Sequence, residues 1–298
     1  HIIRGEEHMA NTPKQINLYK ALGAPLPTFA HLPLIHNEKG EKLSKRRDPV
    51  AITFFKDCGI LPEAMFNYLA LLGWSPGEDR ELLSKEEMIA AFSLDRIKQS
   101  PAQFTLNRKR DIAPEASDNE RVQYLAESLP TSKLEWMNGE YMKKLPAEDL
   151  LNRARPFLDG RGYDLGAHPK EWVEQVIKLE QERSRTLLQL AHNVEFFFKP
   201  PEEFNSKAAK KWGKKDILEE EKDGLSNLQM FSAANIDELL KKTADQRGMK
   251  MIDVAQPLRL AVSGNSVSPP IGQTLELLGK DETLRRISSA IIKLKSDY

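Results

Sequence analysis

Two short stretches of this chain gather residue types that handle charge. Lys42, Ser44, Lys45, Arg46 and Arg47 crowd into the six positions 42–47, just after Gly40. Four cations so close repel one another, so the run is either a solvated loop or a seat for something strongly anionic. Lysine ammoniums are compact point charges on flexible stems, suited to following negative charge as it builds on phosphates in a transition state. Ser44 adds a hydroxyl, and Gly40 permits the turn. Upstream, "RGEEH" (Arg4 to His8) sets a guanidinium beside two carboxylates and an imidazole. A guanidinium can grip a carboxylate with two N–H groups, and on the residues alone pairing with Glu6 or Glu7 is the plain reading of Arg4.

Elements must aim these groups. "HII" is short and β-branched, "NTPKQINLYKALG" opens with Asn11 as an N-cap and places Ile16, Leu18, Tyr19 and Leu22 on one helical face, and "TFAHLPLI" is extended again. A β-α-β order suits the edge of an open α/β sheet, where ligands sit beyond the carboxyl ends of strands. From about residue 48 the apolar period is helical nearly everywhere. Ser84 and Glu87 stand at capping-box spacing. Residues 105–131 are more polar and irregular, although "NERVQYLAESL" has the pattern of one amphipathic helix. Later segments, including the long "PKEWVEQVIKLEQERSRTLLQLAHNVEFFF", read as helix after helix. The 298 residues carry 44 Lys+Arg and 44 Asp+Glu, and that balance does not exclude an RNA partner, because a local basic surface is what matters. The single Cys58 forms no intramolecular disulfide and reads as a half-buried structural thiol, and no Cys/His spacing suggests zinc. With no long apolar run and no signal-peptide pattern, the sequence reads as a cytoplasmic protein. Its start at His1, inside a strand-like stretch, reads as a piece of something longer.

The stretch "HIIRGEEHMANTPKQINLYKALGAPLPTFAHLPLIHNEKGEKLSKR" resembles the second half of the catalytic domain of bacterial-type glutamyl-tRNA synthetases, its "KLSKR" matching the class I signature usually written KMSKS. The likeness continues through "GILPEAMFNYLALLGWS", "LEWMNGEY", "QPLRLAVSG" and "LELLGKDETLRRI". It implies that Lys42, Ser44 and Lys45 are catalytic, stabilising the pyrophosphate that leaves ATP, with Lys45 the chief contributor. It further implies ATP contacts from Leu34, Ile35 and Arg46, with Leu34 and Ile35 holding adenine through their backbone. Arg4 is then the glutamate-binding residue, and Glu7 and His8 meet the transfer-RNA end or ribose. Arg183, Arg185, Arg259, Ser268, Pro269 and Ile271 correspond to anticodon-binding segments. For the arginines and for the lysines around Trp212, a solvated face is the plain alternative.

The resemblance implies a mainly α fold in three parts. Residues 1–47 form the remnant of a class I α/β nucleotide-binding domain. Residues 48–145 form a helical stem-contact domain with an insertion near 105–131, and residues 146–298 form an all-helical anticodon-binding domain split near 220. The implied activity is that of a glutamate–tRNA ligase, a monomer acting on L-glutamate, tRNA(Glu) and ATP with Mg²⁺, without zinc or a membrane. Because the first half of the nucleotide fold has no counterpart here, the fragment alone is expected to be inactive. The rival reading is a tRNA-binding or assembly module without catalysis, and whether tRNA(Gln) is also charged stays open. "KLSKRRDP" departs from the family by carrying Arg47-Asp48 where many members have His-Gly.

Overall fold

A computed structural model describes residues 1–43, 50–108 and 110–296, the side chains of 295 and 296 apart. Ser44, Lys45 and Arg46 therefore lie outside the described residues, while Lys42 lies within them. The chain divides into two compact units, residues 1–144 with 185–188, and residues 145–184 with 189–298.

The first unit opens with strand β1 (Ile2–Gly5), a 3-10 turn (Glu6–Asn11), helix α1 (Thr12–Ala21) and strand β2 (Phe29–Leu32). The strands pair in parallel, Arg4 opposite His31 and Gly5 opposite Leu32, so the β-α-β expectation holds. Two details differ. Asn11 makes no side-chain capping bond, and the expected inward face of α1 is open, Leu18 being 62% exposed and Leu22 79%. The stretch read as one extended segment is split at Pro33, which lacks the N–H that a ladder needs. Strand β3 (Ile35–His36) resumes beyond it and pairs in parallel with β4 (Ala102–Gln103), far along the chain.

Helices α2 (Ile52–Asp57), α3 (Pro62–Gly73), α4 (Lys85–Ala91), α5 (Asp118–Ser128) and α6 (Lys133–Lys143) complete this unit. Helix α5 packs on α2 and α6 on α3. Phe104 meets Phe55 and Tyr68 edge-on at 5.7 Å, and Leu125, Leu129, Leu134 and Met137 close the core beside them. The capping box at Ser84 and Glu87 forms as expected. The region read as a polar insertion thus supplies Leu106, Leu125 and Leu129 to the core. Cys58 is fully buried, its thiol donating to the Val122 carbonyl at 3.3 Å. Burial pushes its pKa up to about 12.

The second unit begins with α7 (Ala147–Asp159) packed on α8 (Lys170–Gln181). The long helical stretch from 169 to 198 is divided into α8, α9 (Leu187–Asn193) and α10 (Glu195–Phe198). Ser184, wholly buried, accepts from the Asn193 amide at 3.1 Å, and such hydroxyls compete with the helical ladder. A bundle follows: α11 (Ser206–Trp212), α12 (Lys215–Ser226), α13 (Ala233–Arg247), α14 (Met251–Ser263), α15 (Ile271–Leu278) and α16 (Lys280–Ser296). Leu218, Leu240, Val254, Leu258, Leu275 and Ile287 form its core. No helix among the described residues is long and apolar enough to cross a membrane.

Candidate functional site

In the first unit the carboxyl ends of β1 and β2 carry the predicted groups. Arg4 reaches α1, donating to Thr12 Oγ1 at 2.8 Å and Gln15 Oε1 at 2.6 Å, with its guanidinium 5.5 Å from the centre of the Phe29 ring. Thr12 Oγ1 also lies 3.0 Å from His31 Nε2. Both acceptors of Arg4 are neutral, so these bonds orient the cation without cancelling its charge. The expected alternative, a pair with Glu6 or Glu7, is not what these bonds make. Glu6 instead crosses to β3, accepting from the Leu34 N–H at 3.3 Å. Glu7 and His8 are exposed, and the His8 carbonyl accepts from the Thr12 hydroxyl at 3.3 Å.

Beyond β3 the chain turns sharply. Asn37 Oδ1 accepts from the N–H groups of Lys39 and Glu41, each at 2.9 Å, and Gly40 takes φ +78°, a region that favours glycine. The turn returns Lys42 opposite His36 in an antiparallel bridge, with its side chain exposed. The Ile35 carbonyl accepts from Leu43 N–H at 3.1 Å and the Leu34 carbonyl from Ala102 N–H at 3.1 Å. Leu34 and Ile35, the expected adenine positions, are thus fixed between the two strand pairs. A neighbouring 410 Å³ groove, lined by Leu32, Phe66, Leu69, Trp74 and Phe92 among others, is apolar and offers no acid or base.

In the second unit the structure gathers Arg183, Arg259, Ser268 and Pro269. Arg259 donates through Nε to Ser268 Oγ at 2.8 Å and through Nη2 to the Pro269 carbonyl at 3.3 Å. In the amide orientation that satisfies both its ends, Gln256 accepts from Arg259 Nη1 at 3.2 Å and donates to the Ser266 carbonyl at 3.1 Å. Arg259 therefore clamps the 266–269 loop. Burial and then the Arg183 charge lower its pKa, although a guanidinium stays charged. Gly264, at φ +74°, ends α14 and passes so close to Glu203 and Pro201 that a Cβ would meet them at 2.9 Å. Arg183 and Ser268 line a 660 Å³ polar cavity, and Arg183 also borders a 540 Å³ groove. Ile271 is buried in the bundle core. Arg185 belongs to the first unit, where its guanidinium meets Glu140 at 3.4 Å and its carbonyl accepts from Asn138 at 2.6 Å.

Sequence reasoning missed Thr12, Gln15, Glu6, Gln256 and Glu180. Thr12 and Gln15 stand at helical i, i+3 spacing, the one available signal that both face the same neighbour. Glu180 continues the apolar stripe Val173, Val176, Ile177 of α8, where a carboxylate is out of place. Among the described residues, no three His, Cys, Asp or Glu side chains gather as a metal site.

A family model described as the catalytic domain of class I tRNA synthetases (E and Q) matches residues 1–110, and one described as an anticodon binding domain matches residues 149–291. The chain is 39% identical over 292 residues to glutamate–tRNA ligase 2 of Halorhodospira halophila, aligning 97% of itself with 56% of that protein. To the glutamate–tRNA ligase of Nitrosospira multiformis it is 39% identical over 290 residues, with 96% and 56% covered. A crystal structure of a glutamate tRNA ligase from Elizabethkingia meningosepticum, in complex with its amino acid, superposes with a TM-score of 0.78 at 30% identity. That match covers 99% of this chain and 57% of the other. The chain spans about half the length of the curated relatives it matches.

Proposed function

The chain belongs to the glutamate–tRNA ligase family of class I tRNA synthetases, and from that membership we propose that it supplies the C-terminal part of an enzyme that activates L-glutamate with ATP and transfers it to tRNA(Glu). Residues 1–47 carry the end of the catalytic domain, 48–145 a stem-contact domain, and 146–298 an anticodon-binding domain in two subdomains split near 220. The enzyme works in cytoplasmic translation as a monomer. ATP arrives as its Mg²⁺ complex, as substrate.

The observation that carries this reading is the setting of Arg4. Two neutral oxygens aim its guanidinium while leaving its charge for a ligand. The side-chain carboxylate of glutamate fills that demand, whereas glutamine offers only an amide. The α-carboxylate of glutamate attacks the α-phosphorus, the bond to the β,γ-diphosphate breaks, and pyrophosphate leaves. Lys42, Ser44, Lys45 and Arg46 meet that leaving charge, and Leu34 and Ile35 hold the adenine. Glu7 and His8 then face the transfer-RNA end, whose hydroxyl attacks the activated carbonyl and releases AMP. Arg183 and Ser268 meet anticodon bases, and Arg259 keeps their loop in place. The rival reading, a module without catalysis, leaves the orientation of Arg4 by Thr12 and Gln15 without a purpose.

Arg4→Gln in the complete gene product tests this. The charged pair lost is worth about 1.5–3 kcal/mol, so KM for glutamate should rise roughly 10- to 150-fold. An unchanged KM would remove Arg4 from the substrate site.

A further inference from the structure

The polar cavity of the second unit has a charged group at its floor that the proposed anticodon contacts do not use. Glu180 is 2% exposed, and its Oε2 has no hydrogen-bond partner. That oxygen lies 3.7 Å from Arg183 Nε, an ion-pair distance too long for a hydrogen bond. Arg183 itself is 39% exposed at the cavity mouth. It also repels Arg259 strongly enough to contribute to the depressed pKa there. The two guanidiniums are held differently. Arg259 is tied to the loop by its own hydrogen bonds, whereas Glu180 is the acid paired with Arg183. A flexible arginine discriminates between base edges only when its geometry is fixed from behind.

We propose that Glu180 is a positioning residue whose buried carboxylate fixes Arg183 at the mouth of this cavity and thereby sets discrimination among the anticodon bases of the transfer RNA. The inference rests on the reading of the second unit as anticodon-binding. Burial pushes Glu180 up to about 7, opposed by Arg183 and then Asn193, so its charge is lost between pH 8 and pH 6. The other charges facing the cavity are His192 with its partner Glu195 at 3.6 Å, and Lys199, Glu202 and Glu203 on the segment after α10.

The test is fluorescence anisotropy with the 298-residue chain and a labelled anticodon stem-loop of tRNA(Glu), against loops bearing single anticodon substitutions, at pH 8 and pH 6. His192→Asn is present in every protein, so that no imidazole at the rim contributes to the pH profile. At pH 8, Glu180→Gln should lower discrimination roughly tenfold. Affinity for the substituted loops should hold or rise, because a negative charge has left a phosphate-binding surface. The chain with Glu180 should lose the same discrimination at pH 6, and the Gln variant should be flat. Arg183→Ala, at an exposed side chain, should lower discrimination equally, and adding Glu180→Gln to it should change nothing further. Undiminished discrimination in Glu180→Gln at pH 8, or a Glu180 effect that survives without Arg183, overturns the proposal. A chain with Glu180 and Arg183 intact that discriminates no loop overturns the anticodon reading, and the proposal falls with it.

Discussion

At the scale of single residues, the legible part of the site was its charge. Lys42 stood out in a crowd of cations and Arg4 beside carboxylates and an imidazole, whereas Arg183 was marked only by the likeness of its segment to an anticodon-binding region. What orients Arg4 could not be read, since Thr12 and Gln15 are neutral and nothing in a lone sequence shows that they face β1. Glu180 was hidden for the opposite reason: among the many carboxylates of a charged helix, only packing marks the one that is buried. Its pKa, raised from 4.5 to about 7, makes a stability prediction. The folded state holds this proton more tightly than the unfolded chain, so the carboxylate costs nothing below pH 4.5. The cost grows as pH rises toward 7 and is complete above it. Glu180→Gln should therefore stabilise the second unit at pH 8 by on the order of 1–3 kcal/mol, with the gain gone near pH 4.5. Urea unfolding at both values reads it. A variant less stable than the parent at pH 8 would mean that the pair with Arg183 outweighs the burial of its charge.

At the scale of elements, local signals were reliable where side chain meets backbone nearby, and weak where the partner is distant. The capping box at Ser84 and Glu87 was visible as a spacing, and the one at Ser117 and Glu120 obeys the same rule. The break between α8 and α9 was not legible, because the apolar stripe runs through it and the bond from Asn193 to Ser184 exists only once the chain has turned. Likewise the text of 105–131 showed the amphipathic pattern that α5 bears out, but not that its Leu125 and the following Leu129 join the core beside α2. The likeness to a catalytic domain runs to residue 110, and strand pairing gives a reason: β4 at 102–103 returns beside β3. The turn that presents Lys42 hangs on Asn37, whose one oxygen takes two backbone N–H groups. Asn37→Ala should cost about 1–2 kcal/mol in thermal unfolding of the first unit, and in the complete gene product it should slow activation without changing tRNA affinity. Equal stability with normal activation would show that the loop needs no such hinge.

At the scale of the whole molecule, the proposed function gives each of the two compact units its own kind of recognition. The first brings Arg4, Leu34 and Lys42 into one unit with a helical core. The second sets Arg183 and Ser268 at a polar cavity, with Arg259 bonded to Ser268, in a unit whose family likeness is to anticodon binding. The class and order of these parts were legible because several linked motifs follow one another along the sequence. The parallel pairing of β3 with β4 was not, since it joins segments far apart in the chain. The central claim is that these parts serve the joining of glutamate to its transfer RNA. Its most direct test is aminoacylation by the complete gene product, with radiolabelled glutamate or glutamine, ATP and purified tRNA(Glu). The account predicts ester-linked glutamate on tRNA(Glu) at a rate that glutamine does not approach, with charging abolished or sharply reduced in Lys45→Ala. Binding of tRNA(Glu) without any glutamate transfer under the same conditions would contradict it, and would leave the chain as a transfer-RNA-binding module.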